Sequence, residues 1–212
     1  MQSQSPACRW LAVGDIHGCL AQLTELMEEV KPTAADRVVF LGDYVDRGPA
    51  SAGVIDYLIE FAAAFPETIF LRGNHEQMFL DYLDRQDPAV FLINGGRQTL
   101  DSYRDRGLWP VPSAHRRFLD SLGYYFESEH HIFVHAGLRP GIPLAEQDDF
   151  DMLWIRHEFL ESDFDWGKAI VYGHTPRQEP LLGDLRIGLD TGCVYGDRLT
   201  CCDVMTQRIW QA

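Results

Sequence analysis

Five times along this chain a short apolar run halts at a small residue or a histidine and gives way at once to carboxylate, amide or imidazole side chains. Leu11-Ala12-Val13 leads into Gly14-Asp15-Ile16-His17-Gly18, and Val38-Val39-Phe40-Leu41 into Gly42-Asp43-Tyr44-Val45-Asp46-Arg47-Gly48. Thr68-Ile69-Phe70-Leu71 precedes Gly73-Asn74-His75-Glu76, Ile132-Phe133-Val134 precedes His135-Ala136-Gly137, and Ala169-Ile170-Val171-Tyr172 precedes Gly173-His174-Thr175-Pro176. Short apolar runs that stop at such residues read as buried strands. Between and after the first three lie segments of helical spacing, at 19–30, about 49–65 and 75–84, with Pro32 ending the first and Pro49 suited to open the second. The first 84 residues therefore predict strand, helix, strand, helix, strand, helix, a βαβαβ unit with parallel strands and right-handed crossovers.

Ligands of an open α/β sheet gather beyond the carboxyl ends of its strands. All five polar clusters would converge there, with the neighbouring glycines letting the backbone turn sharply and leaving room. Carboxylate, imidazole and amide oxygen suit borderline divalent ions such as manganese, iron or zinc. Six such side chains exceed the need of one catalytic ion, so two ions sharing a bridging carboxylate are expected. Such pairs sit about 3.5–4 Å apart and clamp the attacking and leaving oxygens of a displacement at phosphorus.

The remaining chain is read more coarsely. The alternation fails over about 87–122, where Asn94-Gly95-Gly96 and Trp109-Pro110-Val111-Pro112 break it into short helical pieces, taken as a helical cap. Strand signals return at 131–135, 169–172, 186–189 and 199–204, with a helix at about 150–161. No repeat or linker divides the chain, so residues 1–212 are expected to form a single domain. With 18 basic against 32 acidic residues the formal charge is −14, which disfavours a nucleic-acid partner. An acidic chain that handles anions must gather its positive charge locally, in arginines or metal. The five cysteines form no CxxC pair, Met1 to Trp10 shows no secretory pattern, and no apolar run is long enough to span a bilayer. A cytoplasmic protein without a membrane partner is expected. Each cysteine reads as a small buried residue, Cys19 alone lying where it could feel a metal's field. His115, His130, His131 and His157 match no motif, and Arg97 reads as a solvated helix residue.

The set GDIHG, GDYVDRG, GNHE, VHAG and GHTP resembles the calcineurin-like metallophosphoesterases, and within them the phosphoprotein phosphatase branch in its small bacterial and phage form. The likeness runs from about Trp10 to about Asp203. It implies a β-sandwich flanked by helices, with mixed sheets and a βαβαβ metal-binding N-terminal half. It also implies Asp15 and His17 on one metal, Asp43 bridging, and Asn74, His135 and His174 on the second. His75 would protonate the leaving alkoxide with Asp46 holding its ring, a suitable task for an imidazolium near neutral pH. Arg47 and, within Trp154-Ile155-Arg156, Arg156 would bind phosphate in two-point contact. Glu76 reads either as a support of the site or as the first-turn acid of its helix, and Asp190 and Tyr195 lie where family members line the site.

Direct attack on phosphorus by a hydroxide held between two divalent ions, manganese foremost, is the expected reaction. No G-x-S-x-G elbow supports a protein nucleophile. The expected substrate is a phosphorylated protein or peptide, carrying phosphoserine or phosphothreonine, with phosphotyrosine as a further option. The alternative is a symmetrical dinucleoside tetraphosphatase. Those relatives usually depart from DRG and carry GNHD, so Asp46, Arg47 and Glu76 favour the phosphatase. An inactive phospho-binding module and a nuclease or cyclic phosphodiesterase carry less weight.

Overall fold

A computed structural model of the chain describes residues 8–85 and 88–212. The reading of the first ten residues falls largely outside it, as does residue 87, where the sequence sets the start of the cap. Strands β1 (Trp10–Val13), β2 (Arg37–Phe40) and β3 (Ile69–Phe70) alternate with helices α1 (Leu20–Val30), α2 (Ser51–Ala64) and α3 (Asn74–Leu83) as the apolar spacing predicts. Helix α1 buries Leu23, Leu26, Met27 and Val30 and closes on Lys31 at φ 48°, one residue before Pro32.

The next segment comprises α4 (Pro88–Phe91), a kinked turn at Leu92–Gly96 with Gly95 at φ 100°, α5 (Arg97–Asp105) and α6 (Ser113–Asp120). Its Leu100, Tyr103 and Leu119 lie in the same helix-side core as Leu11, Phe40 and Leu58. After it come β4 (Tyr125–Glu127), β5 (His131–Val134), α7 (Asp149–Trp154), α8 (His157–Leu160), β6 (Ala169–Tyr172), β7 (Leu181–Leu182), β8 (Arg186–Gly188), β9 (Thr200–Asp203) and β10 (Arg208–Gln211). The helix expected at 150–161 is thus two helices. Asp148 caps the first by accepting from the Phe150 N–H, and Ile155, buried and extended at ψ 142°, interrupts it.

The strands form two mixed five-stranded sheets, ordered β10-β9-β1-β2-β3 and β4-β5-β6-β8-β7. In the first, β1 pairs β2 and β2 pairs β3 in parallel, while β9 and β10 add antiparallel. In the second, β5, β6 and β8 are parallel. Alternation along the central strands shows that both faces are covered. Leu11 and Val13 of β1 meet the helices, whereas Ala12 faces the second sheet. The core between the sheets joins Ala12, Val39 and Cys202 of one to Phe133, Val171 and Ile187 of the other. Ile132, Val134, Ile170 and Tyr172 pack outward on Met152, Ile155 and Phe159. Full burial of a side chain such as Phe40 or Phe133 contributes about 1.5–3 kcal/mol. The result is the helix-flanked sandwich implied by the resemblance.

All five cysteines are free thiols, Cys8 exposed and the others buried. Among the described residues no helix is long and apolar enough to cross a membrane.

Candidate metal and phosphate site

The parallel strands of both sheets end at one edge, and the loops leaving them meet there. The clearest tie between the layers runs from Asp15 after β1, whose carboxylate accepts from the backbone N–H of His174 after β6 at 3.0 and 3.2 Å. A Cβ on Gly173 would lie 2.1 Å from an Asp15 oxygen, and one on Gly73 2.1 Å from an Asp43 oxygen. The neighbouring glycines therefore leave room for the carboxylates themselves. His17, Asp43, Asp46, Arg47 and His174 all have φ between 47° and 72°. Non-glycine residues in that region cost roughly 1–2 kcal/mol each, so the surrounding bonds must hold these loops in place.

Much of that holding falls to Glu76, which is fully buried at the start of α3. Its two oxygens accept from the backbone N–H groups of Asp43 (2.8 Å), Tyr44 (2.7 Å), Val45 (3.2 Å) and Gly73 (2.9 Å). Burial, with Asp43 nearby, pushes its carboxyl up to about 7. Glu76 thus frames the Asp43 loop.

Asp43 is central. One oxygen lies 3.4 Å from His17 Nε2, the other 3.4 Å from His135 Nε2. Two groups of mutually close donors share it: His17, Asp43 and His75, and Asp43, His135 and His174. His17 and His135 are each set by Nδ1–H donation to a backbone carbonyl, of Val45 at 2.8 Å and Leu41 at 2.9 Å, which frees Nε2 toward Asp43. Asn74 Oδ1 lies 3.0 Å from His135 Nε2 and 3.1 Å from His174 Nδ1. Ligands at about 2.0–2.2 Å from a shared ion stand roughly 3–3.5 Å apart, so these spacings fit a divalent cation on each side of Asp43.

Electrostatics supports the same fit. Burial lowers His17 to about 3, His174 to about 2, and His135 below its ordinary value, keeping the imidazoles neutral as metal ligation requires. Burial alone would raise Asp43, but His135, His75 and His17 around it carry it well below the usual carboxylate range. Asp15 is raised well above that range by burial and by Asp190 and Asp43. Asp190, buried beside it and accepting from the Gly192 N–H at 3.0 Å, is pushed up to about 6 by burial. Three buried carboxylates crowd the floor of the site, and bound cations would relieve them.

His75 differs from the other three histidines. Burial would lower it, but Asp43 and Asp46 outweigh that and raise it, and its Nδ1 is held by Asp46 Oδ2 at 2.7 Å. Asp46 is in turn held by Thr99 and Ser51. The Thr99 hydroxyl donates to Asp46 Oδ1 at 2.7 Å, and the Asp46 N–H meets Thr99 Oγ1 and Ser51 Oγ at 2.8 and 3.1 Å. Neither Thr99 nor Ser51 belongs to a motif, and no sequence signal marks them.

The two arginines flank the opening of a pocket of about 270 Å³ lined by Asp43, Arg47, Asn74, His75, Asn94, Trp154, Arg156 and His174. Arg47 Nη1 lies 2.6 Å from His17 Nε2, its backbone N–H donates to the Gly95 carbonyl, and its guanidinium lies over the exposed Tyr195 ring. Arg156 donates through Nε to His174 Nε2 at 3.1 Å. The break between α7 and α8 presents it there, and Asn94 is a further lining residue that sequence reasoning overlooks. Arg97 is exposed at the start of α5. The Cys19 and Cys193 thiols hydrogen-bond one another, lowering Cys19. His115 is buried between Tyr103 and Asp56, at 2.9 and 2.7 Å, while His131 is buried and His130 and His157 are exposed.

A family model described as calcineurin-like phosphoesterase matches residues 9–203. Among curated relatives, the chain is 27% identical to an asymmetrical bis(5'-nucleosyl)-tetraphosphatase PrpE of Oceanobacillus iheyensis, over 89% of this chain and 85% of that protein. It is 28% identical to the protein of the same name in Bacillus thuringiensis, over 89% and 87%. A solved structure of a candidate diadenosine tetraphosphatase superposes with TM-score 0.76 and 25% identity, covering 98% of this chain and 94% of that one. A cold-active protein-tyrosine phosphatase of Shewanella sp. gives TM-score 0.73 at 16% identity, covering 97% and 77%, a likeness of fold alone.

These relatives overturn the expectation of a serine/threonine phosphoprotein phosphatase. The physical reason lies in the residues used to discriminate. Glu76 and Asp46 turn toward backbone N–H groups and toward His75, so they build the frame of the site and are silent on what is attached to the phosphate.

Proposed function

The chain belongs to the calcineurin-like phosphoesterase family, and from that premise we propose that it is a metal-dependent dinucleoside tetraphosphate hydrolase of the asymmetrical kind. The observation that carries this reading is the likeness to asymmetrical bis(5'-nucleosyl)-tetraphosphatases across 89% of the chain. The geometry is in keeping with it. Two larger clefts adjoin the catalytic pocket, one of about 400 Å³ through Trp154 and one of about 630 Å³ through Arg47. A substrate with an arm on each side of the reacting phosphorus has room for both.

The family implies a dinuclear divalent centre. We assign Asp15 and His17 to one ion, Asn74, His135 and His174 to the other, and Asp43 to both, with manganese as the first candidate and iron or zinc as alternatives. When bound, the pair supplies the nucleophile and neutralises charge on the phosphoryl oxygens. Arg47 and Arg156 offer planar donor pairs to the same oxygens from the rim. His75, fixed through Nδ1 by Asp46, can hold a proton at Nε2 and deliver it to the departing oxygen. Asn94 and Trp154 complete the lining of the pocket.

The test is turnover of diadenosine tetraphosphate by the manganese-loaded protein, with nucleotides resolved by anion-exchange chromatography. ATP and AMP in equal amounts are expected. Two ADP per turnover would overturn the asymmetrical sense, and faster release of phosphate from a phosphoserine peptide would overturn the substrate class.

A further inference from the structure

We infer that the groove beside Trp154 is the subsite for the nucleobase of the nucleoside attached to the reacting phosphate. The inference rests on the dinucleotide reading above and locates one arm of that substrate. The groove, about 400 Å³, runs between α3, α4 and α7, and its walls include Val90, Tyr124, Phe150, Leu153 and Trp154. That volume lies within the range of small-molecule sites, about 300–1,000 Å³.

Its floor is an aromatic pair one helical turn apart. Phe150 and Trp154 have ring centroids 6.2 Å apart and planes inclined by 23°. Phe150 is 67% exposed, a large apolar ring facing solvent beside a catalytic pocket. Trp154 lines both the groove and the catalytic pocket, and its ring stands edge-on to His174 at 6.1 Å. The platform therefore begins one ring away from a proposed metal-binding imidazole. A base resting on it belongs to the near nucleoside, separated from the reacting phosphorus by its own sugar.

Charge decides which part of the substrate the groove admits. Asp81 and Asp149 line it, together with Gln77, and among the described residues no lysine or arginine does. A polyphosphate chain would meet the like charge of Asp81 and Asp149 there, with Arg72 behind Gln77 and Tyr124 as the nearest cation, whereas an uncharged flat ring would meet no repulsion. The carboxylates can accept from ribose hydroxyls or from an exocyclic amino group. The guanidinium groups that suit phosphate sit elsewhere, on Arg47 and Arg156 at the pocket rim. This placement gives the asymmetrical outcome a physical basis: with the near base on Trp154 and Phe150, the fragment released on that side is a nucleoside monophosphate.

Binding of AMP and of ribose 5-phosphate, which lacks the base, to the manganese-loaded protein tests the inference by calorimetric titration. Base stacking on an aromatic side chain is worth about a 5- to 160-fold gain in affinity, so the wild type should prefer AMP by at least that lower bound. Phe150→Ala should reduce the preference severalfold, and Phe150→Tyr, which keeps the ring, should restore it. An AMP preference unchanged in Phe150→Ala, or absent from the wild type, would overturn the inference. The result is separable from the substrate reading: a protein that cleaves diadenosine tetraphosphate with no such preference loses only the subsite. One that binds AMP through Phe150 and leaves the dinucleotide intact loses only the proposed function.

Discussion

Thr99 offers the sharpest test of how the helical segment after α4 serves the site. It is fully buried in α5, donates to Asp46 Oδ1 at 2.7 Å, accepts from the Asp46 N–H at 2.8 Å and lies 3.0 Å from Ser51 Oγ. Thr99→Val keeps the shape and removes the hydroxyl. The Asp46 N–H retains Ser51, so the main loss is one hydrogen bond to a buried carboxylate, about 2–3 kcal/mol. For a chain of this length that lowers Tm by about 4–12 °C. Thr99→Ser keeps the hydroxyl and removes one buried methyl, about 1 kcal/mol, or about 2–4 °C. Melting followed by circular dichroism on both variants gives the order. The hydrogen-bond argument requires valine to melt below serine, and Thr99→Val to lose more kcat because Asp46 then holds His75 less firmly. A serine variant that melts below the valine one would refute the reasoning, since Thr99 would then act through packing alone.

Three further outcomes are expected. His75→Asn should lower kcat by about 10²–10⁴-fold on an alkyl phosphate but only roughly tenfold on diadenosine tetraphosphate, whose departing phosphate has a pKa of about 6 and needs little protonation; equal losses would remove His75 from proton transfer. Asp43→Asn should reduce both bound ions per chain together, because its two oxygens face His17 and His135 on opposite sides, and retention of two tightly held ions by elemental analysis would refute the bridge. Burial alone would raise Asp36, but Arg9 and Thr33 hold it at about 2, below its ordinary 3.8. A depressed carboxylate contributes stability that is present above pH 3.8 and lost as pH falls through about 2. Asp36→Asn should therefore cost about 2 kcal/mol in denaturant unfolding at pH 7, with the gap to wild type closing toward pH 2; a gap that stays constant would sink the assignment.

What could be read in advance was whatever a strand end encodes locally. A glycine beside a carboxylate or imidazole announces a loop that must approach another group closely, as at Gly73 and Gly173, where an added Cβ would lie 2.1 Å from a carboxylate oxygen. The alternating β1 to α3 pattern was legible because each strand is buried on both faces and reads as an unbroken apolar run. Strands β4, β7 and β10 were missed because two to four residues, part exposed, carry no period. The break at Ile155 was missed because an apolar residue continues a helical pattern whether or not the backbone turns out of it. Thr99 lies some fifty residues from Asp46, and Asn94 about twenty from Asn74 and His75, beside which it lines the pocket, so only the folded chain brings them in.

The error over substrate has the same origin. Motif residues in this site are consumed by the frame: Glu76 by four backbone N–H groups, Asp46 by His75 and Thr99, His17 and His135 by Val45 and Leu41. They determine how a phosphoryl group is held and say nothing of its two substituents. Selection among substituents falls to side chains facing the clefts, such as Phe150 and Trp154, which the reaction leaves free to vary. A motif in this fold thus specifies chemistry at phosphorus, and the substrate must be sought on the walls one ring further out.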